Sequence, residues 1–325
     1  MDNVQDRIHA MMSQETTSYA IHDYFSQVST FASRRPRPTG NSSSATNSNH
    51  PAYVDANCRT LMAKWCNSLC DFCKYDRDVT ASAMSCVDRF AATPQGMEII
   101  LMDRDQYQLA VMTSLYMMAK IGQSEALDPA SVAKLSRGKH TRRDIEKMEL
   151  KMLVGLKWKV HPPTPWSFAR ELLELIPTSA IDTATSQRIA DLTKYQLEAA
   201  VFNYELSLQR PSEVAFGAIL NAMESMNANC ALRYETMVSQ LLTSQVHQLR
   251  AVRVSLLKVI AEADATCSQP ERAILTQRMN MNNNSMNAKV VSPASPSAAS
   301  QETPAKEPSR RSFSKSPISV SATLV

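Results

Sequence analysis

The scarcity of glycine constrains this chain more than any other feature of its sequence. Six glycines occur in 325 residues, whereas proteins usually contain about 7 % glycine. Sandwiches, barrels and phosphate-binding turns need glycine where the backbone takes a positive φ or approaches a ligand closely. The sequence contains no G-x-G-x-x-G or Walker A motif. Because it is also rich in alanine, methionine, leucine and glutamine, the composition predicts an all-α fold.

Charge is unevenly distributed along the chain. Lysine and arginine total 35 and aspartate and glutamate total 31, which gives a net charge of +4. Residues 268–325 contain seven of the basic and three of the acidic residues, so residues 1–267 have no net charge. Folded nucleic-acid binders usually present a basic face. The charge pattern therefore argues against a nucleic-acid partner.

The cysteines and the apolar stretches predict a compartment. Seven cysteines, an odd number, follow an N-terminus without a signal-peptide pattern, which is typical of free thiols in a reducing compartment. The apolar stretch at residues 106–119 has 14 residues, too few to cross a bilayer. We therefore expect a soluble intracellular protein without a membrane partner.

Shifts in composition predict four regions. Residues 1–52 combine one N-terminal helix with a linker, because residues 34–51 are rich in Arg, Pro, Ser and Asn. Residues 53–160 and 161–267 are predicted to form two helical domains. Residues 268–325 are expected to be disordered, since they are dominated by Asn, Ser, Pro and Ala. The N-terminal helix is predicted around Tyr19, Ile21, His22, Tyr24 and Phe25.

Helix start and stop signals divide the two domains further. Asp128 and Thr164 each precede a proline, as expected at a helix N-terminus, and Thr141 with Asp144 resembles a capping box. The third predicted helix of the first domain, at 103–121, is apolar on nearly every side, so the other helices of that domain are predicted to surround it. The pattern predicts two five-helix bundles. Their helices are predicted at 55–74, 77–92, 103–121, 128–136 and 142–156, then at 165–177, 184–208, 212–227, 231–242 and 245–263.

Several short motifs, taken in order, resemble the cyclin family, whose fold contains two tandem five-helix cyclin boxes. The motifs of the first bundle are Cys58-Arg59-Thr60-Leu61-Met62-Ala63-Lys64-Trp65, Val87-Asp88-Arg89-Phe90, Ala119-Lys120 and Lys147-Met148-Glu149, with Leu109 between them. Those of the second are Leu156-Lys157-Trp158, Pro163-Thr164-Pro165 with Phe168, Tyr204-Glu205-Leu206 and Pro211-Ser212. The Leu-Lys-Trp and Ala-Lys-Trp segments are somewhat closer to D-type than to mitotic cyclins.

The resemblance implies a function and a site. Cyclins are non-catalytic regulatory subunits that bind and activate a cyclin-dependent serine/threonine protein kinase in cell-cycle control, in the nucleus or the cytoplasm. Lys120 and Glu149 match the polar residues that contact the kinase. Without the family, the same residues would be a cation favoured at a helix C-terminus and a solvated carboxylate. Arg59 and Asp88 match an internal ion pair. No cofactor and no catalytic residues are expected, so the chain is predicted not to be an enzyme.

The first predicted helix of the bundles contains two residue sets with alternative interpretations. One apolar stripe with helical spacing consists of Cys58, Leu61, Met62 and Trp65. In many cyclins the matching stripe docks Arg-x-Leu motifs of substrates or inhibitors, although here Cys58 and Lys64 depart from the pattern; the alternative is a buried stripe. The second set is Cys66, Cys70 and Cys73, which we interpret as core thiols and not as a metal site, because a structural zinc site needs a second ligand pair.

The C-terminal region contains candidate regulatory motifs. Four residues precede proline and are candidate sites for proline-directed kinases, namely Ser292, Ser295, Thr303 and Ser316. Each phosphate would add about −1.5 to −2 charge. A candidate destruction box, which would recruit a ubiquitin ligase, consists of Arg272, Leu275 and Asn280.

Two alternative functions remain open from the sequence. General transcription factors of the TFIIB type share the doubled five-helix fold, but they have a zinc ribbon and basic repeats that this sequence lacks. A cyclin-fold scaffold that binds no kinase is the second alternative. Kinase association and duplex DNA binding are the observations that distinguish a kinase regulator, a TFIIB-type factor and a scaffold.

Overall fold

The fold is described from a computed structural model, which places residues 2–27, 53–125, 127–177 and 179–266. These residues are helical and contain no strand, which confirms the all-α prediction. The described residues up to Ile260 form one compact unit, and Ala261 begins a second. No described helix is long and apolar enough to cross a membrane. The predicted linker at 34–51 and the predicted tail at 268–325 lie outside the described residues, and the predicted domain boundaries stay predictions.

The first bundle begins after residue 53, and its five helices lie close to the predicted ranges. They are α2 (Ala56–Cys73), α3 (Asp78–Ala91), α4 (Arg104–Gly122), α5 (Pro129–Lys134) and α6 (Arg142–Gly155), preceded by α1 (Asp2–Thr16). A short helical turn at Pro94–Gly96 and a π-helical turn at Met97–Leu101 connect α3 to α4. The predicted caps are present, since Asp128 and Thr141 accept hydrogen bonds from backbone N–H groups of the first turns of α5 and α6.

Helix α4 is the centre of the first bundle, as its all-round apolar sequence predicts. Buried residues run along it from Tyr107 to Ala119, and it packs against α2, α3 and α6. Its exposed residues are confined to its two ends, Asp105 in the first turn and Lys120 to Gly122 in the last. The hydrophobic core around α4 contains buried side chains whose first and last residues in the sequence are Tyr24 and Leu156.

The second bundle has one more helix than predicted. Its helices are α7 (Pro165–Leu173), α8 (Thr183–Ala200), α9 (Tyr204–Ser207), α10 (Pro211–Ser225), α11 (Ala231–Leu242) and α12 (Val246–Thr266). Helix α10 is buried on most sides and packs against α7, α8 and α11. Its core also contains Ile8 from α1.

The prediction of a single helix over 184–208 is wrong, because the helix is interrupted at residues 201–203. The Val201 carbonyl accepts a hydrogen bond from Arg59 Nη1 at 2.8 Å, and the Phe202 carbonyl accepts one from Thr60 Oγ1 at 2.9 Å. Asn203 then caps α9 by accepting from Leu206 N. Because the Val201 and Phe202 carbonyls accept hydrogen bonds from the first bundle, they do not continue the hydrogen-bond pattern of α8, which ends there.

The predicted position of the N-terminal helix is also wrong. Helix α1 occupies Asp2–Thr16, and residues 20–24 are not helical. The hydroxyl of Thr17 donates to Ser13 O at 2.6 Å, the kind of side-chain bond that competes with helix continuation. The following segment is held by Tyr204, whose hydroxyl accepts from Tyr24 N at 3.0 Å and donates to Asp23 Oδ1 at 2.9 Å.

A buried ion pair connects these segments. Arg59 on α2 and Asp88 on α3 each have a side-chain exposure of 1 %, and two hydrogen bonds of 2.9 and 2.8 Å join the guanidinium to the carboxylate. The Tyr24 hydroxyl donates to Asp88 Oδ1 at 2.8 Å. Burial and the Asp88 charge raise the pKa of this tyrosine well above its usual value. The pair therefore joins α2, α3, the N-terminal segment and, through the Val201 carbonyl, the second bundle, as the predicted internal role requires.

We expect Arg59→Met to reduce the free energy of unfolding by about 3–5 kcal/mol, because it leaves the Asp88 carboxylate buried without its counter-charge. Arg77→Met is the matched control, since its partners Asp71 and Glu198 are 31 % and 22 % exposed. Urea denaturation of both variants checks this. A loss for Arg59→Met no larger than that for Arg77→Met would contradict the account.

The two glycines near helix ends of the first bundle give a second prediction. A Cβ at Gly155 would lie 2.7 Å from Cε2 of buried Phe90, whereas a Cβ at Gly122 would have no neighbour within 4 Å. Gly155→Ala is expected to destabilise by about 1–3 kcal/mol through overpacking. Gly122→Ala is expected to be neutral or stabilising. Thermal unfolding of the two variants measures the difference, and equal effects would show that Phe90 is not tightly packed.

Candidate partner-binding site

The structure brings the two predicted kinase-contact residues together. Lys120 lies in the last turn of α4, Glu149 lies on α6, and Lys120 Nζ forms an ion pair with Glu149 Oε1. The lysine side chain is 47 % exposed and the glutamate 16 %. Partial burial opposes the lysine charge, but the hydrogen bond and charge of Glu149 outweigh it and raise the pKa of Lys120. The pair is thus a charged, accessible group at the end of the central helix.

Tyr116 holds the lysine from the other side. Lys120 Nζ lies 4.9 Å from the centre of the Tyr116 ring, one turn earlier on α4. A cation over an aromatic face is attracted to the ring. The ammonium is therefore oriented by two side chains, and its third donor is free to reach a partner.

Exposed apolar side chains also occur on α4, on α6 and just after α6. Ile121 is 50 % exposed, and on α6 Leu150 and Val154 are 58 % and 56 % exposed. Trp158, which follows α6 with φ of 63°, is 66 % exposed. We call Lys120, Glu149 and these four residues the α4–α6 face. Large apolar side chains with this much exposure make the two helices a candidate interaction surface.

Sequence reasoning missed the apolar part of the α4–α6 face. Leu150, Val154 and Trp158 repeat at four-residue intervals, a second apolar stripe beside the buried set that contains Met148 and Met152. A helix with two apolar stripes on different sides must leave one of them exposed or partnered. The four-residue spacing of this second stripe was the sequence signal that could have predicted an exposed apolar surface.

The stripe on α2 is mostly buried. Cys58, Met62 and Trp65 are 3 %, 1 % and 8 % exposed, and Leu61 is half-buried. This burial favours the packing interpretation over an exposed docking groove. The thiols Cys66 and Cys70 are buried as well.

Burial also determines the chemistry of the cysteines on α2. It raises the pKa of the Cys70 thiol to about 11, and it raises that of half-buried Cys73. Within the described ranges, no group of three His, Cys, Asp or Glu side chains is arranged to hold a metal ion. Cys66 and Cys70 are part of the hydrophobic core of the first bundle, and Cys73 packs against it.

The predicted tail motifs lie outside the described residues and stay predictions. They are Arg272, Leu275 and Asn280 of the candidate destruction box and the candidate phosphorylation sites Ser292, Ser295, Thr303 and Ser316.

Comparison with known proteins identifies relatives. The sequence model described as "Cyclin, N-terminal domain" matches residues 7–161, just under half of the chain. G1/S-specific cyclin-D1 of Mus musculus is 22 % identical over 169 residues, covering 52 % of this chain and 54 % of that protein. G2/mitotic-specific cyclin-B2 of Rana japonica is 23 % identical over 171 residues, covering 53 % and 40 %. The chain thus spans about half the length of the curated relatives it matches, and their similar identities do not separate D-type from mitotic cyclins.

A solved structure shares the fold. The X-ray structure of a viral cyclin from herpesvirus saimiri superposes with a TM-score of 0.52 at 19 % identity, covering 65 % of this chain and 87 % of that chain. The match to the N-terminal domain covers the helices that contain Arg59, Asp88, Lys120 and Glu149. Residues 7–161, which contain these four residues on their helices, are thus similar to the N-terminal domain of cyclins.

Proposed function

We propose that this chain is a non-catalytic regulatory subunit that binds and activates a cyclin-dependent serine/threonine protein kinase. The observation that supports this most is the α4–α6 face, in which an accessible Lys120–Glu149 pair shares its two helices with exposed apolar side chains. Lysine supplies three donors and glutamate accepts through two oxygens, a set suited to backbone groups of a partner. The apolar side chains supply the area that a stable interface buries.

The activating role rests on a requirement of kinase catalysis. Kinase catalysis requires a lysine–glutamate ion pair whose glutamate lies on a mobile helix of the kinase. A preformed face that binds only the docked position of that helix shifts the kinase population toward the active state. The activity would then belong to the kinase, and this chain would supply no catalytic group.

The cellular setting belongs to the same proposal. Relatives named as G1/S-specific and G2/mitotic-specific cyclins support a role in cell-cycle control, in the nucleus or the cytoplasm. Phosphorylation before proline and a ubiquitin-ligase address in residues 268–325 would add regulation of its lifetime. Docking of Arg-x-Leu partners on α2 receives no support from the burial of its stripe.

The polar part of the face is tested by the double variant Lys120→Ala/Glu149→Ala. Because charge-assisted hydrogen bonds contribute about 1.5–3 kcal/mol each, we expect kinase affinity to fall at least about tenfold. Thermal stability is expected to change little, since an exposed ion pair contributes about 0–1 kcal/mol. Co-purification with a cyclin-dependent kinase and phosphorylation of a histone or retinoblastoma-type substrate are the measurements.

The matched control is Arg142→Ala/Glu146→Ala, which removes another exposed ion pair from α6 and is expected to leave kinase binding unchanged. Kinase association that survives the Lys120/Glu149 variant would refute the site assignment. Specific duplex binding in a mobility-shift assay without any kinase association would favour the TFIIB-type alternative. A chain that showed neither kinase association nor duplex binding would favour the cyclin-fold scaffold.

The apolar part of the face is tested by Trp158→Ser. The indole is 66 % exposed in the free chain, so its loss is expected to weaken kinase binding about tenfold or more without lowering the thermal midpoint. Leu232→Ser on α11, a site with 76 % exposure, serves as control. Equal binding by both variants, measured by surface plasmon resonance, would remove Trp158 from the interface.

A further inference from the structure

Trp158 has a backbone conformation that a bulky side chain rarely adopts. Its φ is 63°, in the left-handed region where steric clashes make a large residue an outlier. Lys157, immediately before it, has a φ of 52°. In the described part of the chain one other pair of consecutive residues has positive φ, Arg137 and Gly138. A second position that is glycine in the turn after α5 is therefore occupied by an aromatic residue after α6.

The end of α6 explains the conformation of Lys157 but not that of Trp158. Trp158 N donates to Leu153 O at 2.8 Å, and Lys157 N donates to Val154 O at 3.0 Å. These two bonds form a Schellman motif, in which the left-handed residue is the first one after the cap, here Lys157. The residue that follows often packs back on the helix, yet Trp158 is 66 % exposed. Burial therefore does not explain why an indole occupies this position.

The chain directly after Trp158 is fixed to α3 through two successive carbonyl groups. Arg89 Nη1 donates to Lys159 O at 2.8 Å, and Cys86 Sγ donates to Val160 O at 3.4 Å. Arg89 is only 6 % exposed, so its guanidinium reaches the turn from inside the protein. Strained backbone conformations persist where the surrounding structure determines them, and they are concentrated at functional sites. These bonds therefore hold Trp158 in the left-handed region.

The N-terminal segment contacts both members of the bond between Arg89 and Lys159. The guanidinium carbon of Arg89 lies 4.7 Å from the centre of the Tyr19 ring, within the range of a cation–π interaction. Lys159 Nζ donates to Ser18 Oγ at 2.7 Å. Arg89 thus joins α3, the N-terminal segment and the turn that carries Trp158.

We propose that Arg89 is a positioning residue for partner binding, which fixes the turn at 157–159 and so orients the Trp158 indole toward an apolar pocket of the kinase. This inference rests on the proposed function, because the kinase is the partner that the indole would meet. Aromatic side chains are frequent anchors of interfaces, and one already held in its bound orientation loses less conformational entropy on association. The strain at Trp158 is then the cost, in the free chain, of presenting the indole.

The strain is tested in the free chain by Trp158→Gly and Trp158→Ala, which both remove the indole. Because glycine adopts a positive φ without a steric cost, Trp158→Gly is expected to unfold about 2 °C above Trp158→Ala. Lys147→Gly and Lys147→Ala are the control, since position 147 lies inside α6 and glycine is expected to unfold at the lower temperature there. A thermal midpoint of Trp158→Gly equal to or below that of Trp158→Ala would overturn the proposal.

The role of Arg89 is tested by a double-mutant cycle with Trp158, measured as the affinity of the full chain for a purified cyclin-dependent kinase. Arg89→Met is expected to weaken binding about tenfold on its own and to have no further effect in a Trp158→Ser chain. A merely structural role of Arg89 would reduce the affinity equally in both backgrounds. Ser18→Ala removes the acceptor of Lys159 Nζ without changing a buried side chain, and it repeats the cycle with an expected loss of about twofold.

Arg77→Met is the control, because it removes another partly buried arginine beside α3 and is expected to leave the affinity unchanged. A loss from Arg89→Met or Ser18→Ala that disappears in the Trp158→Ser background supports the proposal. Equal losses in both backgrounds, no loss from either variant, or an unchanged affinity of Trp158→Ser would overturn it and leave the proposed function intact. An unmodified chain that binds no such kinase would refute the proposed function, and the role of Arg89 with it.

Discussion

The buried ion pair between Arg59 and Asp88 is the interaction on which the arrangement of the helices depends. Neither charge can be isolated in the core without a large cost, so α2 and α3 must dock in the register that joins them. The remaining donor of the guanidinium binds the Val201 carbonyl, and the Asp88 carboxylate accepts the Tyr24 hydroxyl. One pair of side chains therefore links the first bundle, the N-terminal segment and the connection between α8 and α9 of the second bundle.

The candidate site follows from this arrangement and from the burial of α4. Because α4 is largely enclosed from Tyr107 to Ala119, only its two ends reach solvent, and the C-terminal end carries Lys120 and Ile121. Helix α6 packs against α4 and supplies Glu149, which pairs with Lys120. The fold thus presents an accessible ion pair at the exposed C-terminal end of the central helix.

The sequence predicted the regular parts of the molecule and missed those that depend on long-range contacts. Glycine scarcity, capping residues and apolar periodicity are local signals, and they located the helices of the first bundle and the central position of α4. The break at Val201 was not predictable locally, because its cause is a hydrogen bond to Arg59, 142 positions earlier. The extended course of the N-terminal segment near Tyr24 depends in the same way on Asp88 and Tyr204. A kinase-contact role of Lys120 and Glu149 was expected only through family resemblance. The ion pair between them and the exposure of Trp158 required the structure.

The central claim is that the α4–α6 face is where this chain meets a protein kinase. Hydrogen–deuterium exchange of the full chain, alone and with a purified cyclin-dependent kinase, tests it most directly, since exchange reports which backbone segments a partner protects. The account predicts protection concentrated at the end of α4 and along residues 149–158, with the segments around Leu232 unchanged. No protection with any such kinase, or protection confined to the second bundle, would contradict it.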